Sequence, residues 1–133
     1  MQARTFVLAA LAASTVLTAG VASAQDLARG AYIVNNVGLC HDCHSPRNPD
    51  GSYIAGRELT GAPNLMKVTV PMPWADVVPP IRGGRDGWSQ AQFAAFLQTG
   101  KRPDGTEPRP PMPPYRLNAA DAQSVAAYLH SLK

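Results

Sequence analysis

A chain of 133 residues with 12 basic and 9 acidic side chains has room for one small domain and a formal charge of only +3. That modest charge, with no dense basic run, argues against nucleic-acid binding. A domain this short is also poor in buried apolar area.

The first residues read as a secretory signal. Arg4 supplies a positive start, Phe6 to Ala19 is an apolar stretch diluted by serine and threonine, and Ala22-Ser23-Ala24 is a small-residue cleavage site. A membrane-spanning helix needs roughly 20 strongly apolar residues, which this stretch does not supply. Cleavage after Ala24 is expected, leaving residues 25–133 as one exported, periplasmic domain with no permanent membrane span. No cysteine lies near the site to carry a lipid.

From Asp26 to Leu39 the spacing of Leu27, Ala31 and Val34 predicts a helix, with Asp26 as its cap. It leads into Cys40-His41-Asp42-Cys43-His44, which holds both cysteines of the chain. Cys-x-x-Cys-His is the attachment signature of a c-type haem. Two thiols on one helical turn each add to a porphyrin vinyl group, and the histidine that follows is held under the ring to ligate iron. A disulfide between positions this close would close a very small loop and stabilise little.

Prolines and glycines then punctuate Ser45 to Gly87. Lys67 to Val70 is a short strand candidate without an evident partner. So long an irregular stretch is unusual in a compact domain, unless it wraps a large object such as one haem. Gly83-Gly84 lacks the spacing and preceding strand of a phosphate loop, and reads as a turn or a close backbone approach to the cofactor. Arg82, Arg85, Trp74 and Trp88 are residues that could meet haem propionates, or surface charges and packing aromatics.

Ser89 and Gln92 form a capping-box pair that starts a second helix, with Phe93, Phe96 and Leu97 on its apolar face and Gly100 ending it. The proline-rich stretch Arg102 to Arg116 holds Met112 between Pro110-Pro111 and Pro113-Pro114. Prolines stiffen the backbone, which would present a thioether with little reorganisation. Met112 is thus the candidate distal iron ligand opposite His44, ahead of Met72; the competing account is a gap-filling core methionine. A Met/His pair raises the iron potential and suits electron transfer. Lys101, Arg102, Arg109 and Arg116 would form a mildly basic rim beside it. Asn118 caps the last helix, whose buried stripe is Val125, Tyr128, Leu129 and Leu132. His130, the rival for bis-histidine ligation, falls off that stripe and is expected in solvent.

Gly30-Ala31-Tyr32, the Cys40-to-His44 motif and the run from Met112 to Leu132 resemble the monohaem class I cytochromes c along nearly all of residues 25–133. Trp88 to Phe93 and Gly100 to Gly105 are similar to cytochrome domains that accompany bacterial periplasmic dehydrogenases. The resemblance implies an all-α fold with crossing N- and C-terminal helices around one covalent haem, and Gly30 and Tyr32 near Tyr128. It implies thioethers at Cys40 and Cys43, and His44 and Met112 as axial ligands. The implied role is an electron carrier without substrate turnover, between a dehydrogenase or quinol-oxidising complex and a terminal oxidase or other cytochrome. The alternatives are a haem enzyme or gas sensor with an open distal position, and a haem-free thiol pair or zinc site. A thioredoxin-type pair lacks its strand–helix–strand setting, and a structural zinc lacks four well-spaced ligands.

Overall fold

The computed structural model describes residues 24–133, so the expected signal segment lies, apart from Ala24, outside the described residues. Among these residues there are four α-helices: α1 (Ala24–Tyr32), α2 (Cys40–His44), α3 (Gln90–Thr99) and α4 (Ala119–Ser131). The helix expected over 26–39 exists, but its second half is widened. Ile33–Val37 is a π-helical segment, closed by the Gly38 N–H donating to the Ile33 carbonyl at 2.7 Å. Asp26 lies in the first turn of α1 and is not its cap; a carboxylate there still favours the positive helix end.

α1 packs on α4 through the smallest possible side chain. A Cβ added to Gly30 would lie 2.1 Å from the Ser124 carbonyl oxygen and 2.7 Å from the Tyr128 Cβ. Glycine at position 30 is therefore what lets the two backbones approach. Arg29 forks the carboxylate of Asp121 across the same junction, with contacts of 2.8 and 3.1 Å. Tyr32, implied to pack beside Tyr128, is 53% exposed, and the Arg29 guanidinium lies over its ring. One turn beyond Gly30, the π segment has rotated the helix face, and Ile33 and Val34 take the buried positions.

The caps of α3 and α4 follow the side-chain chemistry expected of them. Ser89 and Gln92 exchange both bonds of a capping box, and Gly100 ends α3 in the left-handed region at φ 72°. The Asn118 side chain accepts from the Asp121 N–H at 2.8 Å. Phe93, Phe96 and Leu97 of α3 meet Val125 and Leu129 of α4, with Ile33, Val34, Leu59 and Ile81, in one buried cluster. Tyr128 and Leu132 lie at its edge, partly buried.

Lys67 to Val70 is not a strand. The pairing is a two-residue antiparallel ladder between β1 (Ala62–Pro63) and β2 (Val77–Val78), at the neck of the loop that contains 67–70. Asn64 ties that neck: its N–H reaches the Asp76 carbonyl and its side chain donates to the Ala75 carbonyl at 2.7 Å. Lys67, Thr69 and Val70 are exposed, so no buried face holds them in a ladder.

His130 is not in solvent either. Its ring packs on the Gly83-Gly84 turn, where a Cβ on Gly84 would lie 2.5 Å from Nε2, and its centroid is 6.4 Å from that of Phe93. Nε2 is buried and unpartnered. The helical stripe misses this contact because the covering turn comes from elsewhere in the chain.

Candidate functional site

The chain enters α2 through a sharp corner. Gly38 is right-handed, but Leu39 sits at φ 48°, ψ 41°, a left-handed conformation that costs a non-glycine residue about 1–2 kcal/mol. From that corner Cys40, Cys43 and His44 follow within one helical turn, so they share a face. Both thiols are unpaired and half-buried. Burial pushes the Cys40 thiol up to about 11, so it rests protonated, as S–H.

His44 is 6% exposed and its orientation is set by the backbone. Nδ1 lies 2.8 Å from the Pro79 carbonyl oxygen. A carbonyl can only accept, so Nδ1 carries the proton and donates. Nε2 is left with a free lone pair and no protein partner among the described residues. Burial is the main effect that pulls the His44 pKa down; the bond to Pro79 opposes it and the Arg85 charge adds to it. A neutral imidazole with one nitrogen bonded to a carbonyl and the other free is the form in which histidine ligates metals.

Pro79 can come this close because residue 61 is glycine. The Gly61 N–H donates to the His44 carbonyl at 2.8 Å. Gly61 sits at φ 84°, and a Cβ on it would lie 2.8 Å from both the Val78 carbonyl oxygen and the Pro80 nitrogen. One residue thus grips the His44 backbone and makes room for the carbonyl that grips its ring.

A second hydrogen-bond chain braces the turn from behind. His41 Nε2 lies 3.0 Å from the Asn35 side-chain oxygen, and His41 Nδ1 lies 3.0 Å from Ser45 Oγ. Asn35 Oδ1 accepts, so Nε2 carries the proton and Nδ1 receives the Ser45 hydroxyl. That hydroxyl oxygen in turn accepts the Leu59 N–H at 2.9 Å. The neutral imidazole satisfies every member, and burial lowers the His41 pKa against the opposing pull of Glu58 and Asp42. Asn35 belongs to the π segment, whose wider turn carries it round toward α2. Asp42 is held by Tyr53 and Arg47 at 2.6 and 3.0 Å.

Met112 packs, partly buried, on the cluster that also takes Cys40 and Tyr115. Tyr115, three residues on, donates to the Gly38 carbonyl at 2.5 Å and so joins the Met112 segment to the corner before Cys40. Met72 is exposed in the other loop. A cleft of about 180 Å³ runs beside Cys43 and is lined by Leu65, Met66 and Val78. Leu65, Met66 and Val77 are all exposed on this loop, an apolar surface suited to a large flat ligand. Free thiols, an uncommitted imidazole nitrogen and open apolar surface fit a covalent haem.

The other candidates separate. Arg82 bonds the Lys133 and Glu58 carbonyls, and Trp74 donates to the Met66 carbonyl. Trp88 stacks edge-on against Phe93 and Phe96, with Arg85 above it. Gly84 makes its close approach to the His130 ring. Of the basic rim, Lys101, Arg109 and Arg116 are exposed, while Arg102 turns back onto Thr106 and the Glu107 carbonyl. Sequence reasoning missed Gly61, Pro79, Tyr115 and the Asn35–His41–Ser45 chain. Only Tyr115 left a trace there, as an aromatic directly after the Met112 prolines.

Residues 27–133 match the family model described as Cytochrome c. The chain is 31% identical over 106 residues to a diheme cytochrome c-type protein of Cereibacter sphaeroides, the match covering 76% of this chain and 33% of that protein. It is 31% identical over 117 residues to a nicotinate dehydrogenase subunit of Pseudomonas putida, covering 79% and 9%. It is 28% identical over 120 residues to the fructose dehydrogenase cytochrome subunit of Gluconobacter japonicus, covering 81% and 22%. The chain therefore spans a third or less of the length of these curated relatives.

Proposed function

The chain belongs to the cytochrome c family, and from that premise we propose that it is an exported electron carrier with one covalent haem c and His44/Met112 axial ligation. The observation that carries this reading is the 2.8 Å bond from His44 Nδ1 to the Pro79 carbonyl, which aims a neutral Nε2 away from the protein's own acceptors. Bound haem supplies a reversible one-electron iron couple. Cys40 and Cys43 would each give up S–H across a vinyl group and so hold the ring by two thioethers. His44 would take one axial position, oriented by Pro79 and braced through Gly61. Met112, on its proline-stiffened segment, would take the other and keep small molecules out. A His/Met pair favours the reduced iron and suits electron transfer over substrate chemistry.

Residues 25–133 would form a cytochrome domain after removal of 1–24, in the periplasm. Two relatives are named as subunits of dehydrogenases, one of them as a cytochrome subunit. By analogy, the donor is a dehydrogenase or quinol-oxidising complex and the acceptor a terminal oxidase or another cytochrome.

One pair of spectra, oxidised and reduced, tests the reading. Covalent haem with a methionine-to-iron charge-transfer band in the oxidised protein is expected. In Met112→Ala that band disappears, small ligands bind, and the potential falls by a sizeable fraction of the ~0.8 V span that axial ligation controls. A Met112→Ala protein with the parent's band and potential would show that Met112 is not the distal ligand.

A further inference from the structure

The segment around Met112 has almost no backbone donors with which to be held. Pro110, Pro111, Pro113 and Pro114 carry no N–H. Between Pro110 and Tyr115 only Met112 and Tyr115 have one, and neither amide makes a hydrogen bond within the described protein. Besides the packing of Met112 and Tyr115 on the core, three hydrogen bonds through other groups hold the segment. At one end the Pro110 carbonyl accepts the Ala75 N–H at 2.9 Å. At the other, the Leu117 N–H donates to the Leu97 carbonyl at 3.1 Å. Between them the Tyr115 hydroxyl donates to the Gly38 carbonyl at 2.5 Å, a bond that spans 77 positions of sequence.

The acceptor of that bond is well chosen. Gly38 closes the π segment and is followed by the left-handed Leu39, then Cys40. A Cβ on Gly38 would lie 3.4 Å from Cys40 Sγ and 3.5 Å from the Tyr115 hydroxyl, so the hydroxyl and the thiol flank one small residue. The backbone of Gly38 is right-handed, so no positive φ calls for glycine here.

We propose that Tyr115 is a positioning residue: its hydroxyl latches the Met112 segment to the Gly38 corner and holds the thioether over the haem. The proposal rests on the reading of Met112 as distal ligand, and the latch has a consequence that does not depend on it. Tyr115→Phe keeps the ring and its packing and removes only the bond. Opening of the segment then becomes easier, and an external ligand competes better for the sixth position.

The test uses the ferric holoprotein, titrated with imidazole while the charge-transfer band is followed, for the parent, Tyr115→Phe and Tyr53→Phe. Tyr53 is the control, since its hydroxyl bonds Asp42 and makes no bond to the Met112 segment or to Gly38. Apparent imidazole affinity is expected to rise roughly fivefold in Tyr115→Phe, the factor that one typical net hydrogen bond is worth, and to stay at the parent value in Tyr53→Phe. Equal affinity in parent and Tyr115→Phe, or an equal rise in both variants, overturns the latch. Amide hydrogen exchange supplies the independent arm: the hydrogen-bonded amides of Ala75, Leu117 and Gly38, which border the segment and the corner, should exchange faster in Tyr115→Phe, and unchanged protection overturns the latch. A parent without the charge-transfer band overturns the Met112 reading instead, and the exchange result then decides the latch alone.

Discussion

Gly61 shows how much a site can depend on a residue that offers it no side chain. Its N–H holds the His44 carbonyl, and its missing Cβ leaves the space through which Pro79 reaches the His44 ring. Gly61→Ala must move the Val78–Pro80 backbone and adopt a positive φ, which together should cost about 1–3 kcal/mol. With haem bound as proposed, the bond from Nδ1 to Pro79 would lend electron density to the imidazole and so stabilise oxidised iron. Weakening it should raise the reduction potential. Redox titration of Gly61→Ala against the parent checks this; a lower or unmoved potential would show that Pro79 does not tune the iron through His44.

At the scale of elements, the contact between α1 and α4 is a backbone contact. With 2.1 Å between a Gly30 Cβ and the Ser124 carbonyl, no rotamer change can make room, because the obstacle is main chain. Gly30→Ala should therefore cost at least about 3 kcal/mol, the upper end of ordinary overpacking penalties. Thermal or denaturant unfolding measures it, and a loss under about 1 kcal/mol would mean the helices slide apart more cheaply than the geometry implies. The π segment is the second element-level device. It turns the end of α1 so that Ile33 and Val34 face the core while Asn35 reaches His41. π-bulges often sit at functional sites, and here the bulge supports the turn that carries both cysteines.

The stability of the whole molecule should carry the mark of His41. Its folded-state pKa is lowered, chiefly by burial, so the unfolded chain binds a proton more readily than the folded one. The stabilisation is complete above the ordinary histidine value of about 6.5 and is lost as pH falls below it toward the folded value. Unfolding free energies between about pH 8 and pH 5 should fall with acid in the parent and fall less in His41→Gln. Identical pH profiles in the two proteins would remove His41 from the account. The bonds that keep His41 neutral come from the π segment, α2 and the loop before β1, so its proton affinity reports on how those three parts fit together.

The primary structure alone determined the helices and the loops between them, because periodic apolar spacing and side-chain caps such as Ser89 and Asn118 act within a few residues. It also determined the Cys40-to-His44 motif and the family, since the chemistry of two thiols and an imidazole on one turn is written in consecutive positions. The tertiary structure decided what holds the site. Pro79, 35 positions from His44, and Gly38, 77 positions from Tyr115, act through carbonyl oxygens. Every residue carries one, so composition and spacing hold no sign of which carbonyl will be used. The partial burial of His130 is hidden for a related reason: a helical stripe describes one partner surface, and the turn that covers the His130 ring arrives from a distant part of the chain. Lys67 to Val70 fails as a strand because β-propensity needs a partner edge and a buried face, and neither is a property of the segment itself.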